Sequence, residues 1–395
     1  MVDAIKDLAQ EIHDKVVNIR RHLHANPELS FQEKNTSAYI KSVLKSYGIS
    51  YTEGWVDTGI VGIIEGEKNG GKTIALRADI DALPITELND VPYKSLNIGV
   101  MHACGHDVHT SSLLGATIIL SRLKRYIKGS IKVIFQPGEE KLPGGAKLMI
   151  EQGALDNPRP SCIFGQHVHP PLEVGKVGIR SGQYMASADE IFIDIKGKGG
   201  HAALPEELVD PVLITSHLIV SLQQIVSRNS NPFIPSVLSF GKITSDGGAT
   251  NIIPDVVRLA GTFRTMDEDW RDQAHSMIRK LTHELVGSMG GDAEINIIKG
   301  YPFLKNDEAL TTFTKSKMIE YLGEENVVEL PKRMSAEDFA YYTHHIPGCF
   351  YRLGTGNPSK GIISSVHTPT FDIDEDALKV GSGLMAFLAI SALNN

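Results

Sequence analysis

The chain has 395 residues, more than one simple hydrophobic core usually fills, so two domains are expected. A formal net charge of −8, with 42% hydrophobic and 22% charged residues, is ordinary for a globular protein and offers no basic face to nucleic acid. No apolar tract reaches the ~18 residues that would suggest a membrane span. Met1–Arg21 mixes charge with helical periodicity and does not read as a signal peptide, so a cytoplasmic location is expected.

In chain order, Ile5, Leu8, Ile12, Val16, Ile19 and Leu23 recur every three or four positions and predict an amphipathic helix over 3–24. A second helix is expected over 35–47, ending near Gly48, followed by strands at 59–65 and 73–77. A helix over 111–123, an apolar strand at 131–136, a helix at 146–152 and a buried strand at 162–168 come next. This alternation implies an α/β sheet covered by helices on both faces. The pattern then changes. Residues 188–196 alternate apolar and polar, as a half-exposed antiparallel strand does. A helix over 210–227 opens with Asp210-Pro211, with Pro at a favoured first-turn position. Strands at 236–243 and 256–264, a helix at 268–288 and a strand at 292–298 complete a β-α-β-β-α-β order, the ferredoxin-like split unit. The expected architecture is an α/β catalytic domain with a mixed sheet, residues 1–181 and 299–395, plus an inserted ferredoxin-like α+β lid, residues 182–298.

Four stretches concentrate metal-ligand side chains. The densest is Met101-His102-Ala103-Cys104-Gly105-His106-Asp107-Val108-His109. Cys, His and Asp are common transition-metal ligands. Cys104 and His106 share a side only in an extended or turn backbone, which Gly105 permits. In Phe135-Gln136-Pro137-Gly138-Glu139-Glu140, an apolar strand ends in a turn that presents adjacent carboxylates. One could bind metal while the other takes a proton from water. In Phe164-Gly165-Gln166-His167-Val168-His169-Pro170, another apolar strand ends in histidine. His167 and His169 would share a face, but Pro170 suggests that the strand has ended, so one ligand rather than two is expected. The fourth stretch, Ser365-Val366-His367-Thr368-Pro369, is weak alone. Cys104, Cys162 and Cys349 are too few and too odd for a disulfide framework.

With these elements in this order, the chain resembles the M20 metallopeptidases, and within them the amidohydrolase branch of aminoacylase-like enzymes, hippurate hydrolases and plant auxin-conjugate hydrolases. The resemblance also rests on Arg20-Arg21-His22-Leu23-His24-Ala25-Asn26-Pro27-Glu28, Leu76-Arg77-Ala78-Asp79-Ile80-Asp81-Ala82-Leu83-Pro84, Gly197-Lys198-Gly199-Gly200-His201-Ala202 and Ser335-Ala336-Glu337-Asp338-Phe339. It implies a Zn-exopeptidase-like fold and a two-metal site with Cys104, His106, Glu140, His167 and His367 as ligands. Manganese or zinc is the expected metal, with cobalt or nickel compatible. Glu139 matches the family's general base. His201 matches a lid histidine that helps stabilise the oxyanion. Asp81 falls where the family has an Asp that orients a ligand, and Asp107 competes with Cys104 for the bridging role. Asn251 and Arg264 are candidate binders of the substrate carboxylate. A homodimer through the lid is implied as well.

The expected reaction is metal-dependent hydrolysis of small N-acyl-L-amino acids. Three alternatives stand beside it: a metallocarboxypeptidase acting on peptides, a cysteine hydrolase using Cys104 with a neighbouring His as base, and a non-catalytic binding protein.

Overall fold

Apolar runs of strand length, separated by amphipathic helices, build a mixed sheet with helices packed on it. The computed structural model describes residues 1–394. The chain divides into two units, one comprising Met1–Gly182, Lys305–Pro331 and the residues from Asp338 onward, the other Gln183–Leu304 with Lys332–Glu337.

In the first unit, helices α1 (Val2–Glu11), α2 (His13–Ala25) and α3 (Lys34–Ser46) precede strands β1 (Ser50–Trp55), β2 (Gly59–Glu65) and β3 (Lys68–Asp79). Helix α4 (His106–Arg122), β4 (Lys128–Gln136), α5 (Gly145–Glu151), β5 (Cys162–Glu173) and β6 (Val177–Ile179) follow. The eight-stranded sheet runs β1-β2-β4-β3-β5, then Gly348–Gly356, β6 and Val327–Glu329. Its centre, β4-β3-β5 and Gly348–Gly356, is parallel, so β3, β4 and β5 deliver their carboxyl ends to one edge. Ile74, Leu76, Ile131, Val133 and Phe164 from these strands are fully buried in the unit's core.

Helix α4 is buried from His106 through Leu120, as expected of a helix enclosed on every side. It lies against the C-terminal helix Ala377–Leu393 through small residues. A Cβ on Gly115 would meet Ser382 Oγ at 2.2 Å, and one on Gly381 would meet Ser112 Oγ at 2.6 Å.

Three local expectations are corrected. The helix over 3–24 is interrupted at Ile12, although the bonds Ile12 N–H to Leu8 O and Val16 N–H to Ile12 O persist there. Helix α4 begins at His106 rather than 111, because Gly105 at φ 81° turns the chain straight into it. Strand β5 does not end before Pro170 but runs on to Glu173. The two prolines sit where pairing with Gly348–Gly356 shifts register, so their missing N–H groups interrupt no regular ladder.

The second unit reads strand Asp189–Lys196, helix α6 (Pro211–Gln224), strands Ser236–Ser245 and Val256–Thr265, helix α7 (Glu268–Ser288) and strand Asp292–Lys299. Its antiparallel sheet places Ser236–Ser245 at one edge, then Val256–Thr265, Asp189–Lys196 and Asp292–Lys299. Ile191, Ile193 and Ile195 point to a core shared with Ile214, Leu218 and Ile278. Segment 332–337 joins this unit, rather than the flanking chain, through Arg333 N–H to Tyr184 O and Ala186 N–H to Ser335 O. No helix among the described residues is long and apolar enough to cross a membrane.

The close approach of α4 to the C-terminal helix gives a stability prediction. Gly115→Val should destabilise the protein by about 1–3 kcal/mol, the usual cost of overpacking, read as a lower urea midpoint with an unchanged slope.

Candidate metal centre

Cys104 and His106 flank the left-handed Gly105, and His106 opens α4. The loop after β4 brings Glu139 and Glu140, and β5 carries His167. His367 arrives from a distant loop in a left-handed conformation, φ 62°, uncommon for a non-glycine residue. Its N–H donates to Ala103 O at 2.7 Å, which ties that loop to the Cys104 turn.

These side chains converge. Cys104 Sγ lies 3.4 Å from His167 Nε2 and 3.2 Å from His367 Nε2. His367 Nε2 is 3.3 Å from Glu140 Oε1. His106 Nε2 is 3.9 Å from Glu139 Oε2 and 3.9 Å from Glu140 Oε1. Two groups of closely spaced donor atoms share the thiol: Cys104, His106 and His167, and Cys104, Glu140 and His367. A third group joins His106, Glu139 and Glu140.

Behind this cluster, hydrogen bonds fix the rings. Asp81 Oδ1 pairs with His106 Nδ1 at 3.1 Å, while its Oδ2 accepts from Ser30 Oγ at 2.7 Å and Glu140 N–H at 3.0 Å. His167 Nδ1 donates to Val168 O at 2.8 Å, leaving the Nε2 lone pair turned toward the thiol. His109 has no nitrogen to spare for a metal. Its Nε2 accepts from Val168 N–H, so Nδ1 carries the proton held by Asp79 at 2.5 Å. Arg77 donates to the second oxygen of Asp79 and to Asp338, and Gln136 also holds Asp338. Asp107 is engaged elsewhere: its Oδ2 accepts from Arg20 Nε and pairs with His24 Nδ1, each at 2.8 Å. It stands in none of the donor groups, so the geometry gives no support to Asp107 as a bridge.

The electrostatics call for cations. Burial, with Glu140 and Glu139 adding to it, pushes the Cys104 thiol well up. Burial alone would lower His106, but Asp79, Asp81 and Glu140 outweigh it and raise the ring to about 10. Burial, helped by Arg352, holds His167 well below the usual histidine range. His106 Nε2 and Glu140 Oε1 are buried without any hydrogen-bond partner. On losing their protons to an incoming ion, the thiol and imidazoles join the carboxylates as a donor set that fits divalent transition metals.

The remaining expected site residues lie in the second unit. His201 is exposed on a two-residue strand paired with Ile252–Ile253. Its Nδ1 accepts from Ala203 N–H at 3.1 Å, which leaves the proton of the neutral ring on Nε2. Asn251 is its neighbour, with its carbonyl accepting from Ala202 N–H. Arg264 lies half-buried on strand Val256–Thr265 and donates to Met334 O at 3.3 Å. Sequence reasoning missed the supporting roles of Asp79, His109 and Arg20. The Asp79-x-Asp81 spacing at a strand end was the available signal, since residues two apart share a face.

A mixed α/β sheet whose carboxyl edge carries paired donor groups around one thiol defines a metal-site hydrolase fold. The sequence matches Peptidase family M20/M25/M40 over residues 75–391, and the chain belongs to that family of hydrolases. It is 42% identical to the N-acetyl-L-cysteine deacetylase of Bacillus subtilis, over 93% of this chain and 85% of that protein. It is 39% identical to thermostable carboxypeptidase 2 of Saccharolobus solfataricus, over 100% of this chain and 99% of that one. Among solved structures it resembles a dinuclear metal binding peptidase of the M20 family from Bacillus subtilis, with a TM-score of 0.84 and 34% identity, covering 98% and 99% of the two chains.

Removing the group that orients His106 and Glu140 should weaken metal binding. Asp81→Ala is expected to lower divalent-metal affinity ~10–100-fold, the usual effect of losing an outer-shell partner, as measured by competition with a chromogenic chelator.

Proposed function

We propose that this hydrolase cleaves the amide bond of small N-acyl-L-amino acids, releasing a carboxylic acid and a free amino acid. The observation that carries this reading is the separation of roles between two adjacent carboxylates. Both carboxylates stand in the donor group around His106, but only Glu140 also belongs with Cys104 and His367, and Glu139 is in neither group that contains the thiol. Similarity to a deacetylase at 42% identity supports the substrate class.

Cys104, His106, Glu140, His167 and His367 would hold two divalent cations, manganese or zinc being our first choices. When bound, these supply Lewis-acid polarisation of the scissile carbonyl and acidify water. Glu139 accepts the proton of the attacking water at Oε2 and returns it to the leaving nitrogen as the C–N bond breaks. Asp81 keeps the proton of His106 on Nδ1, so Nε2 stays a donor of electrons. We assign His201, with its Nε2–H, to the oxyanion, and Arg264 with Asn251 to the substrate carboxylate, a partner that suits a guanidinium.

The second unit, roughly 182–298 with segment 332–337, would act as a lid and as the dimer contact. Strand Ser236–Ser245 is a sheet edge, and the exposed Ile243, with Leu213 and Val220 on α6, gives that side an apolar character. A cytoplasmic setting agrees with three buried free cysteines. A second reading, cleavage of peptides at the carboxyl end, is favoured by 39% identity to a carboxypeptidase.

Hydrolysis of N-acetyl, N-benzoyl and N-indole-acetyl amino acids, set beside short peptides, tests the substrate class. Chelation should abolish turnover, and manganese or zinc should restore it. Activity that survives metal removal would instead make Cys104 the nucleophile. Glu139→Gln should lose ~10²–10⁴-fold in kcat, the range for a positioned acid–base group, with metal content unchanged; near-normal turnover would remove Glu139 from the base role.

A further inference from the structure

Glu33 is fully buried on the loop between α2 and α3. Its Oε1 accepts two backbone N–H groups, from Phe31 at 2.8 Å and Gly138 at 2.9 Å. Its Oε2 accepts the Thr58 hydroxyl at 2.7 Å. Both amides belong to residues in the left-handed region, Phe31 at φ 65° and Gly138 at φ 61°. Such a conformation is costly for Phe31 and persists only where the surroundings over-determine it. The Phe31 ring also covers Gly138, so closely that a Cβ there would meet Cε1 at 2.3 Å. Gly138 O accepts Gly145 N–H at 3.0 Å, so the turn is held from both sides.

The same short segment reaches the other half of the site. Ser30 donates to Asp81, whose Oδ2 also takes the Glu140 N–H, and Ala82 N–H donates to Glu28 O. Residues 28–33 therefore touch both the strand end that orients His106 and the turn that launches Glu139 and Glu140. Thr58, Phe31 and Gly138 are the polar partners of the Glu33 carboxyl. Burial, with Asp81 nearby, pushes that carboxyl up to about 7. An ionisable group kept in such surroundings calls for a reason beyond filling space.

We propose that Glu33 is a positioning residue for the reaction: one of its oxygens pins the amides of Phe31 and Gly138 and so sets the direction in which Glu139 and Glu140 leave the turn. The inference rests on the reading of Glu139 as the base.

The test uses metal-loaded enzyme and the best substrate of the acyl panel. Glu33→Gln keeps an oxygen for both amides and should turn over close to wild type. Glu33→Asp keeps the charge but withdraws it by one methylene. Its kcat should fall ~10²-fold, the scale of a ~1 Å misplacement, with KM and metal content little changed. Thr58→Val removes only the hydroxyl from the other oxygen, so it should lower the unfolding temperature and spare kcat. Wild-type turnover in Glu33→Asp, or a kcat loss in Thr58→Val equal to that of Glu33→Asp, overturns the proposal. If Glu33→Asp fails to fold, Glu33→Leu beside Glu33→Gln decides: kcat lost in the former and kept in the latter upholds the role, while kcat kept in both, or lost in Glu33→Gln with intact fold and metal content, overturns it. Glu139→Gln measured alongside keeps the two readings apart, because activity there removes the base assignment whatever Glu33 does.

Discussion

Crowded negative charge is the constraint on which the catalytic unit depends. Asp79, Asp81, Glu139 and a thiol are buried within reach of one another, and Glu140 is nearly so. Isolated buried carboxylates are strongly disfavoured. Two of these groups are satisfied internally, Asp79 by an ion pair with Arg77 and a hydrogen bond from His109, and Asp81 by His106 and by hydroxyl and amide donors. Cys104, Glu139 and Glu140 gather around His106, and Cys104 and Glu140 around His367, a concentration of donor atoms that divalent ions would suit. Each supporting hydrogen bond thus has a second consequence: it assigns a tautomer or a direction to a side chain of the donor cluster.

Much of this was legible in the sequence because the informative residues are chemically concentrated. Three ligand types, Cys, His and Asp, crowd into Met101–His109 and point to metal binding, and the adjacent Glu139 and Glu140 after an apolar strand point to acid–base work. The alternating run at 188–196 and the capped start of α6 are local signals, set by neighbours in the chain. Asp210 does accept from Val212 and Leu213 N–H at that cap.

What could not be read was long-range. Asp107 looks like a ligand beside His106, yet Arg20, 87 positions away, holds its carboxylate. His109 looks like a ligand too, and only the backbone N–H of Val168 shows that both its nitrogens are committed. Pro170 looks like a strand end, but a register shift in a partner strand nearly two hundred residues later accommodates it. Glu33 has the appearance of an ordinary solvated acid ahead of a helix until the turn at Gly138 is folded over it. In each case the deciding partner is distant in sequence, so local pattern carries no trace of it.

The left-handed His367 has a consequence for how the molecule comes into being. On a ribosome the chain emerges from its amino end, so Cys104, His106 and His167 are available first, and they form one donor group by themselves. The other group waits for His367, 200 positions later. At ~5–20 residues per second that is a delay of ~10–40 s. During it the thiol has one set of partners and lacks the other, and Ala103 O has not yet received the amide that will seat His367. A nascent chain therefore holds the residues of one donor group well before it holds those of the other, which is complete only once His367 has been made.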